Sequence, residues 1–375
     1  MRVLIAPDKF KGTLTAPAAA VGMARGWRRS RPDDTIEILP MSDGGDGFGS
    51  VLSDLLGARA QRVATLDAAH RTVRAMWWWQ ARSRIAVIES ANVIGLAMLP
   101  PKKFHPFHLD AFGLGKLLRQ AAAKNARRCI VGIGGSATND AGFGLARALG
   151  WQFWDDHGNL ILNWPDLANL DHVTAPKPRR NFPELIVAVD VQNRLLGSKG
   201  CTRVYGPQKG LAPQDFSRAE NALKKLAAVM NRFTGRDFAR VPGAGAAGGL
   251  GFGLLAFAGA TLRSGFEIFS EAAGLKARIR SADIVITGEG AIDAQTLMGK
   301  GVGQVAQLCR AQRVPCLALA GSVLQPRAAR KLFFLARGLT EITSATDARA
   351  RPTEFLEKLS AQVALEWTGA RPDRG

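Results

Sequence analysis

Apolar residues gather in short unbroken runs near both ends of the chain and follow a looser pattern in the middle. Arg2 to Ala6 is such a run, closed by Pro7-Asp8, and predicts a strand buried on both faces of a parallel sheet. Thr13 to Arg29 predicts a helix: Thr13 and Thr15 can cap it, Pro17 falls in its first turn, and Leu14, Val21 and Trp27 recur on a helical period. Thr35 to Leu39 is a second strand, stopped by Pro40, and a helix is expected from Asp46 onward. The same rhythm returns near the end, with strands at Asp283–Thr287 and Pro315–Ala320 and a weaker one at Leu332–Leu335, alternating with helices at Gly303–Arg310 and Thr353–Trp367. Alternation of this kind is the mark of a parallel sheet covered on both faces. The strands, split between the two ends, predict one α/β domain interrupted by a large insertion.

The middle, roughly Gln61 to Leu275, reads as a less regular α+β-like unit with strands at Arg74–Gln80, Ile85–Glu89, Arg128–Ile133 and Leu185–Asp190. Val241 to Leu262 carries no charge and is long enough to span a bilayer, but its seven glycines and one proline make it a poor membrane helix. Pro242 to Gly251 is therefore read as a glycine-rich loop and the residues after it as a buried helix, with no membrane partner expected.

The chain has 375 residues, 47% of them hydrophobic, enough to bury a core in each of two domains. Its formal net charge of +19 raises nucleic acid as a rival partner. The clusters are short, however: Arg25, Arg28, Arg29 and Arg31 form one, Lys177, Arg179 and Arg180 another, and neither lies in a recognisable nucleic-acid-binding motif. No specific nucleic acid is expected, and the charge would draw in small anions instead. Trp77-Trp78-Trp79 reads as part of a partly buried strand. Cys129, Cys201, Cys309 and Cys316 are widely spaced, without zinc-site spacing, and the apolar run at Met1 is too short for a signal peptide. Reduced cysteines and a cytoplasmic setting are expected.

The turns after the strands carry the chemistry. They are Asp8-Lys9-Phe10-Lys11-Gly12, Ser42-Asp43-Gly44-Gly45-Asp46-Gly47 and Gly288-Glu289-Gly290-Ala291-Ile292-Asp293, with Gly134 to Asp140 and Asp190-Val191-Gln192-Asn193 in the middle unit. Ligands of open α/β sheets bind beyond the carboxyl ends of the strands, where helix N-termini and loop amides gather. Carboxylates for Mg²⁺, lysines for phosphate charge and glycine turns rich in amides are what phosphoryl transfer needs. The ordinary phosphate loop is absent: Thr296-Leu297-Met298-Gly299-Lys300-Gly301 lacks its first glycine and its hydroxyl residue. The protein kinase motifs and the nucleophile elbow are missing as well, and His105-Pro106-Phe107-His108 reads as a packing loop. Hydrolase and zinc chemistry are thereby disfavoured.

Seven blocks sharpen the picture: IAPDKFKGTLTA, MSDGGDGF, GIGGSATNDAGFGLARALGW, VAVDVQNRLLG, VYGPQKG, GAGAAGGLGFG and TGEGAIDAQTLMGKG. In order, from residue 5 to about 301, they resemble the signature blocks of the type I glycerate kinases. The resemblance implies a flavodoxin-like parallel-sheet domain built from both chain ends, residues 1–60 plus 276–375, with a second α/β domain inserted at 61–275 and the active site in the cleft between them. It implies phosphorylation of D-glycerate by ATP with Mg²⁺, and it favours 2-phosphoglycerate over 3-phosphoglycerate.

On that resemblance Asp190 is expected to orient the substrate hydroxyl, supported by Asn193, with Lys9 as a further catalytic group. Gly134, Gly135, Ser136, Asn139, Lys11, Lys209, Gly288 and Lys300 are expected to hold the nucleotide. Glu289 and Asp293 are expected at the metal, with Asp43 and then Asp46 as further candidates. The Gly243–Gly253 run has two open readings, phosphate contact or close helix packing. The chain departs from the family pattern at Arg194 (usually Pro), Ala291 (usually Arg), Val302 (often Pro) and Asp110-Ala111-Phe112-Gly113 (usually Thr/Ser-Tyr-Gly). These departures leave room for a related hydroxy acid as substrate, or for a weakened member that binds a small acid or nucleic acid. A homodimer is left open.

Overall fold

The computed structural model describes residues 1–42, 44–45, 47–177, 182–299 and 301–368. The chain separates into two compact units, Met1–Asp43 with Phe266–Gly375, and Gly44–Gly265.

Among the described residues of the first unit, five strands make one sheet: Arg2–Ile5, Thr35–Ile38, Ile284–Thr287, Cys316–Ala320 and Leu335–Gly338. Every pairing is parallel, with Arg2–Ile5 between Thr35–Ile38 and Ile284–Thr287 and with Leu335–Gly338 at the far edge. In chain order this is 2-1-3-4-5, the flavodoxin-like arrangement. Both faces are covered, so the central strands are continuous apolar runs: Val3, Leu4 and Ile5 are buried, as are Ile284 to Thr287 and Cys316 to Ala320.

The helix Ala16–Ser30 starts at Thr15, whose side chain accepts from the Ala18 amide, with Pro17 in its first turn. It crosses Pro352–Glu366 at Gly26, where a Cβ would stand 2.8 Å from that of Ser360. Ser360 Oγ donates to the Met23 carbonyl at 2.7 Å and Ser30 Oγ to that of Ala361 at 2.9 Å, satisfying hydroxyls on the faces that touch. The expected strand at Leu332–Leu335 needs correcting. Leu332 ends the helix Pro326–Leu332, Phe333 is its extended cap, and the strand is Leu335–Gly338. The apolar run therefore straddles a helix end and a strand start, and period alone cannot divide so short a run.

The second unit holds a six-stranded mixed sheet among its described residues, in the order Thr261–Arg263, Glu184–Ala188, Arg128–Gly132, Ile85–Glu89, Thr72–Gln80 and Arg59–Leu66. The last three are joined by antiparallel pairings and the rest by parallel ones. Trp77 and Trp78 are buried and Trp79 is half-buried, as a partly covered strand requires. The helix assigned to Ala246–Ala258 is left-handed at Ala247, Gly248 and Gly249 (φ 57°, 72° and 82°), so regular helix begins only after the glycines. Among the described residues no helix is long and apolar enough to cross a membrane.

Candidate functional site

In the first unit the carboxyl ends of Arg2–Ile5 and Ile284–Thr287 continue side by side past the strands. The Ala6 amide donates to the Ile286 carbonyl at 2.7 Å, Thr287 Oγ1 to the Ala6 carbonyl at 2.7 Å, and the Asp8 amide to the Gly288 carbonyl at 2.8 Å. This ladder brings Asp8 beside the Gly288-Glu289-Gly290 turn. A Cβ placed on Gly301 would lie 3.8 Å from Glu289 Oε2 and 3.9 Å from Asp8 Oδ2, so the two carboxylates converge on this glycine. Asp8 is buried, its Oδ1 accepting from the Lys9 amide at 2.7 Å. Glu289 Oε1 accepts from Thr296 Oγ1 at 2.6 Å.

Asp293 caps a helix. Its Oδ1 accepts from the amides of Gln295 at 2.8 Å and Thr296 at 3.3 Å, capping the short helix Ala294–Leu297 in a capping box with Thr296. Gly288 is required by packing, because a Cβ there would stand 2.7 Å from Met23 Cε and overlap the Leu319 carbonyl. Lys9 is half-buried and Lys11 exposed in the turn they share with Asp8. Asp43, Asp46 and Lys300 lie outside the described residues. Among the described residues no group of three or more His, Cys, Asp or Glu is placed to hold a metal. The Asp8–Glu289 pair supplies two hard oxygen donors. That suits Mg²⁺, which keeps most of its waters and takes one or two carboxylates beside phosphate oxygens.

In the second unit Asp190 lies just beyond the strand Glu184–Ala188 and remains half-exposed. Its Oδ1 accepts from the Gly265 amide at 3.1 Å, and a Cβ on Gly44 would stand 2.7 Å from its Oδ2. Glycine at 44, with φ 105°, is thus what lets the backbone at this position lie against the carboxylate. Asn193 is committed elsewhere: its Oδ1 accepts from the Tyr205 hydroxyl at 2.7 Å and its Nδ2 donates to the Lys199 carbonyl at 2.8 Å. Both ends of the amide brace the loop after Asp190. Arg194 is exposed, Val302 is buried at the start of Val302–Ala311, and Ala291 lies in the two-residue strand Ala291–Ile292.

The turn after Arg128–Gly132 is held on several sides. Ser90 Oγ donates to the Gly134 carbonyl at 3.3 Å, the Leu96 amide to that of Gly135 at 2.8 Å, and Ser136 Oγ to that of Ala247 at 3.0 Å. Thr138, Asn139 and Asp140 have no exposed surface. Asn139 Nδ2 donates to Thr202 Oγ1 at 3.1 Å, while Asn139 Oδ1 and Thr138 Oγ1 are buried without a hydrogen-bond partner among the described residues. Asp140 accepts from the amides of Ala111, Gly142 and Gly144, and the next helix is Phe143–Ala148. Burial, aided by the nearby Asp110 charge, pushes Asp140 up to about 6 despite those amides. Lys209 is buried beside this turn, and desolvation lowers its ammonium to about 8.

Two residues of these surroundings have no role assigned from the sequence. Asp8 is visible there as a strand-end carboxylate, overshadowed by the lysines after it. Glu89 ends the strand Ile85–Glu89 and accepts from the Gly47 amide at 2.7 Å and the Gly49 amide at 3.0 Å, at the start of the helix Phe48–Leu56. It anchors the glycine turn that meets Asp190. An acidic residue closing an apolar strand is the signal the sequence offers.

Comparisons with known proteins agree with this picture. The glycerate kinase family model matches residues 3–368. A glycerate kinase of Halalkalibacterium halodurans is 39% identical over 327 residues, covering 86% of each chain. The glycerate 2-kinase of Escherichia coli is 37% identical over 333 residues, again 86% of each. A glycerate kinase of Bacillus subtilis is 36% identical over 374 residues, 97% of each. The crystal structure described as that of a candidate glycerate kinase 2 from Salmonella typhimurium LT2 superposes with a TM-score of 0.83 at 34% identity, covering 98% of both chains. The seven signature blocks, the 2-1-3-4-5 parallel sheet and a match along nearly the whole chain have one reading: the chain belongs to the glycerate kinase family and is a kinase.

Proposed function

We propose that this enzyme transfers the γ-phosphoryl group of ATP to the 2-hydroxyl of D-glycerate, giving 2-phosphoglycerate and ADP. The observation that carries the reading is Asp190, a half-exposed carboxylate at a strand end, fixed by the Gly265 amide and facing the side-chain-free Gly44. Asp190 takes the hydroxyl proton as the oxygen attacks the γ-phosphorus, while the bond from that phosphorus to the β-bridging oxygen breaks and ADP leaves. Lys9 and Lys11 supply positive charge for phosphate and carboxylate oxygens, and the amides of the Gly134–Asn139 turn cradle phosphate at the approach to the helix Phe143–Ala148. Asp8 and Glu289 would hold Mg²⁺, which when bound neutralises phosphate charge. The choice of the 2-hydroxyl is supported by the name of the Escherichia coli relative. Four free, buried cysteines fit a reducing cytoplasmic setting.

The test is ADP release from Mg²⁺-ATP with D-glycerate against L-glycerate, tartronate, glycolate and water, the product being resolved by phosphorus NMR. D-glycerate-dependent turnover with the phosphate on the 2-oxygen is expected. Turnover with another hydroxy acid alone would reassign the substrate, and the Ala291 and Arg194 departures would be the first place to look. Asp190→Asn keeps an oxygen for the Gly265 amide and should lower kcat about 10²- to 10⁴-fold with an unchanged thermal midpoint. Near-normal turnover would remove Asp190 from the mechanism.

A further inference from the structure

Lys209 lies buried beside the glycine turn of the second unit. Pro207 starts a single 3₁₀ turn, Pro207–Lys209, and Gly210 ends it with φ 92°. The Lys209 ammonium donates to the Thr138 carbonyl at 2.5 Å and to Ser136 Oγ at 3.3 Å. Ser136 Oγ in turn donates to the Ala247 carbonyl at 3.0 Å, and the Ala141 amide to the Gly248 carbonyl at 3.1 Å. A Cβ on Gly248 would stand 2.7 Å from Lys209 Nζ and would overlap the Thr138 carbonyl, so the ammonium fills its space with none to spare. The residue keeps only 6% of its surface exposed. A phosphate ligand needs a charge that reaches solvent or substrate, whereas this one faces a backbone carbonyl and a hydroxyl inside the protein.

We propose that Lys209 is a positioning residue: its ammonium fixes Thr138 and Ser136 of the 134–141 turn, whose own bonds from Ser136 and Ala141 reach the left-handed Ala247–Gly249 turn, and so presets the backbone that meets phosphate. It touches no phosphate itself. Charge-assisted bonds are about twice as strong as neutral ones, and a carbonyl held this way has one orientation. Burial lowers the ammonium's pKa to about 8, and the nearby Asp140 carboxylate opposes that shift. The kinetic part of the proposal rests on the Gly134–Asn139 turn binding ATP; the structural part does not.

The test is amide hydrogen exchange on ligand-free enzyme, read at Ala137 and Ala141, whose amides donate to the Ile94 and Gly248 carbonyls, with the strand Glu184–Ala188 as internal control. Lys209→Met is expected to speed exchange at Ala141 at least tenfold with the control strand unchanged. Lys209→Arg is expected not to restore protection, because the larger guanidinium has no room beside Gly248. Gly248→Ala, which keeps the lysine but intrudes on it, should loosen the same amides. In kinetics, Lys209→Met should raise KM for ATP about tenfold or more and leave KM for glycerate within twofold. Unchanged exchange at Ala141 in Lys209→Met, or wild-type behaviour in Lys209→Arg, would overturn the clamp. If Lys209→Met does not fold, Ser136→Ala is read instead, and undisturbed exchange there overturns the proposal equally. Faster exchange with an unchanged KM for ATP would leave the clamp standing and remove the turn from the ATP site.

Discussion

The two units solve the same problem, holding charged groups in the turns outside their sheets, in opposite ways. In the first, the carboxylates of Asp8 and Glu289 are placed by backbone ladders between adjacent parallel strands, and short bonds to Lys9 and Thr296 fix their oxygens. In the second, Asp140 and Lys209 are buried, Asp140 accepting from nearby Gly142 and Gly144 as well as from distant Ala111, and Lys209 donating to a turn about seventy residues away. The first arrangement leaves function and stability separable. The second joins them, because an unmet buried polar group costs about 1–3 kcal/mol and more if charged.

Asp140→Asn is the sharpest way to probe that contrast. Oδ2 of Asp140 accepts from the Ala111 and Gly144 amides, each at 2.9 Å, and Oδ1 from the Gly142 amide at 3.2 Å. An asparagine has one oxygen, so its NH₂ group must face at least one amide donor. A loss of about 2–3 kcal/mol in unfolding free energy is expected from denaturant titration. The pH dependence has a definite sign. The folded-state pKa, about 6, lies above the ordinary 3.8, so the group's contribution is fully present below about 4 and is lost as pH rises through 6. The deficit of Asp140→Asn relative to wild type should therefore shrink between pH 4 and pH 6.5. A deficit that grows over this window, or a change under 0.5 kcal/mol at all pH values, would mean that the second unit is as loosely coupled as the first.

Glu289→Gln probes the other half. The amide oxygen can still accept from Thr296 Oγ1, so the thermal midpoint should stay within about 2 °C, a shift corresponding to under 1 kcal/mol. With one negative charge removed, the Mg²⁺ concentration for half-maximal activity should rise about tenfold. A stability loss matching that of Asp140→Asn would erase the distinction between the units.

The same contrast governs what could be read from the sequence. Residues 85–89 and 128–132 announced themselves as bounded apolar runs because both faces of those strands are covered. Arg59–Leu66 did not, since this edge strand exposes Arg59, Ala60 and Arg62 and buries little before Thr65. The strand-end carboxylates were legible because a strand running into glycine leaves few places for an acid to go. What Lys209 does was not legible. Its partners lie about seventy residues away, and Gly-Pro-Gln-Lys-Gly says where the lysine starts but not which oxygens it meets. The sequence offers Asn193 as support for Asp190 but not the partners of its amide, the Tyr205 hydroxyl and the Lys199 carbonyl, which periodicity does not reveal.

The smallest expected effect tests whether the glycine turn of the second unit stores strain. Ala247 holds φ 57° and ψ 37°, left-handed space that costs a non-glycine residue about 1–2 kcal/mol. Gly248 and Gly249 occupy the same region without that penalty. The Ala247 carbonyl accepts the Ser136 hydroxyl, a bond that glycine would keep. Ala247→Gly thus relieves side-chain strain in the folded state but loosens the unfolded chain, two effects that oppose each other. A net gain of about 0.5 kcal/mol in denaturant titration is expected, with faster exchange at the Ala141 amide, because a glycine at 247 can leave the left-handed conformation that fixes the facing carbonyls. Stability gained together with slower exchange would mean that the turn is held by Lys209 and Ser136 alone, with the conformation of residue 247 following rather than leading.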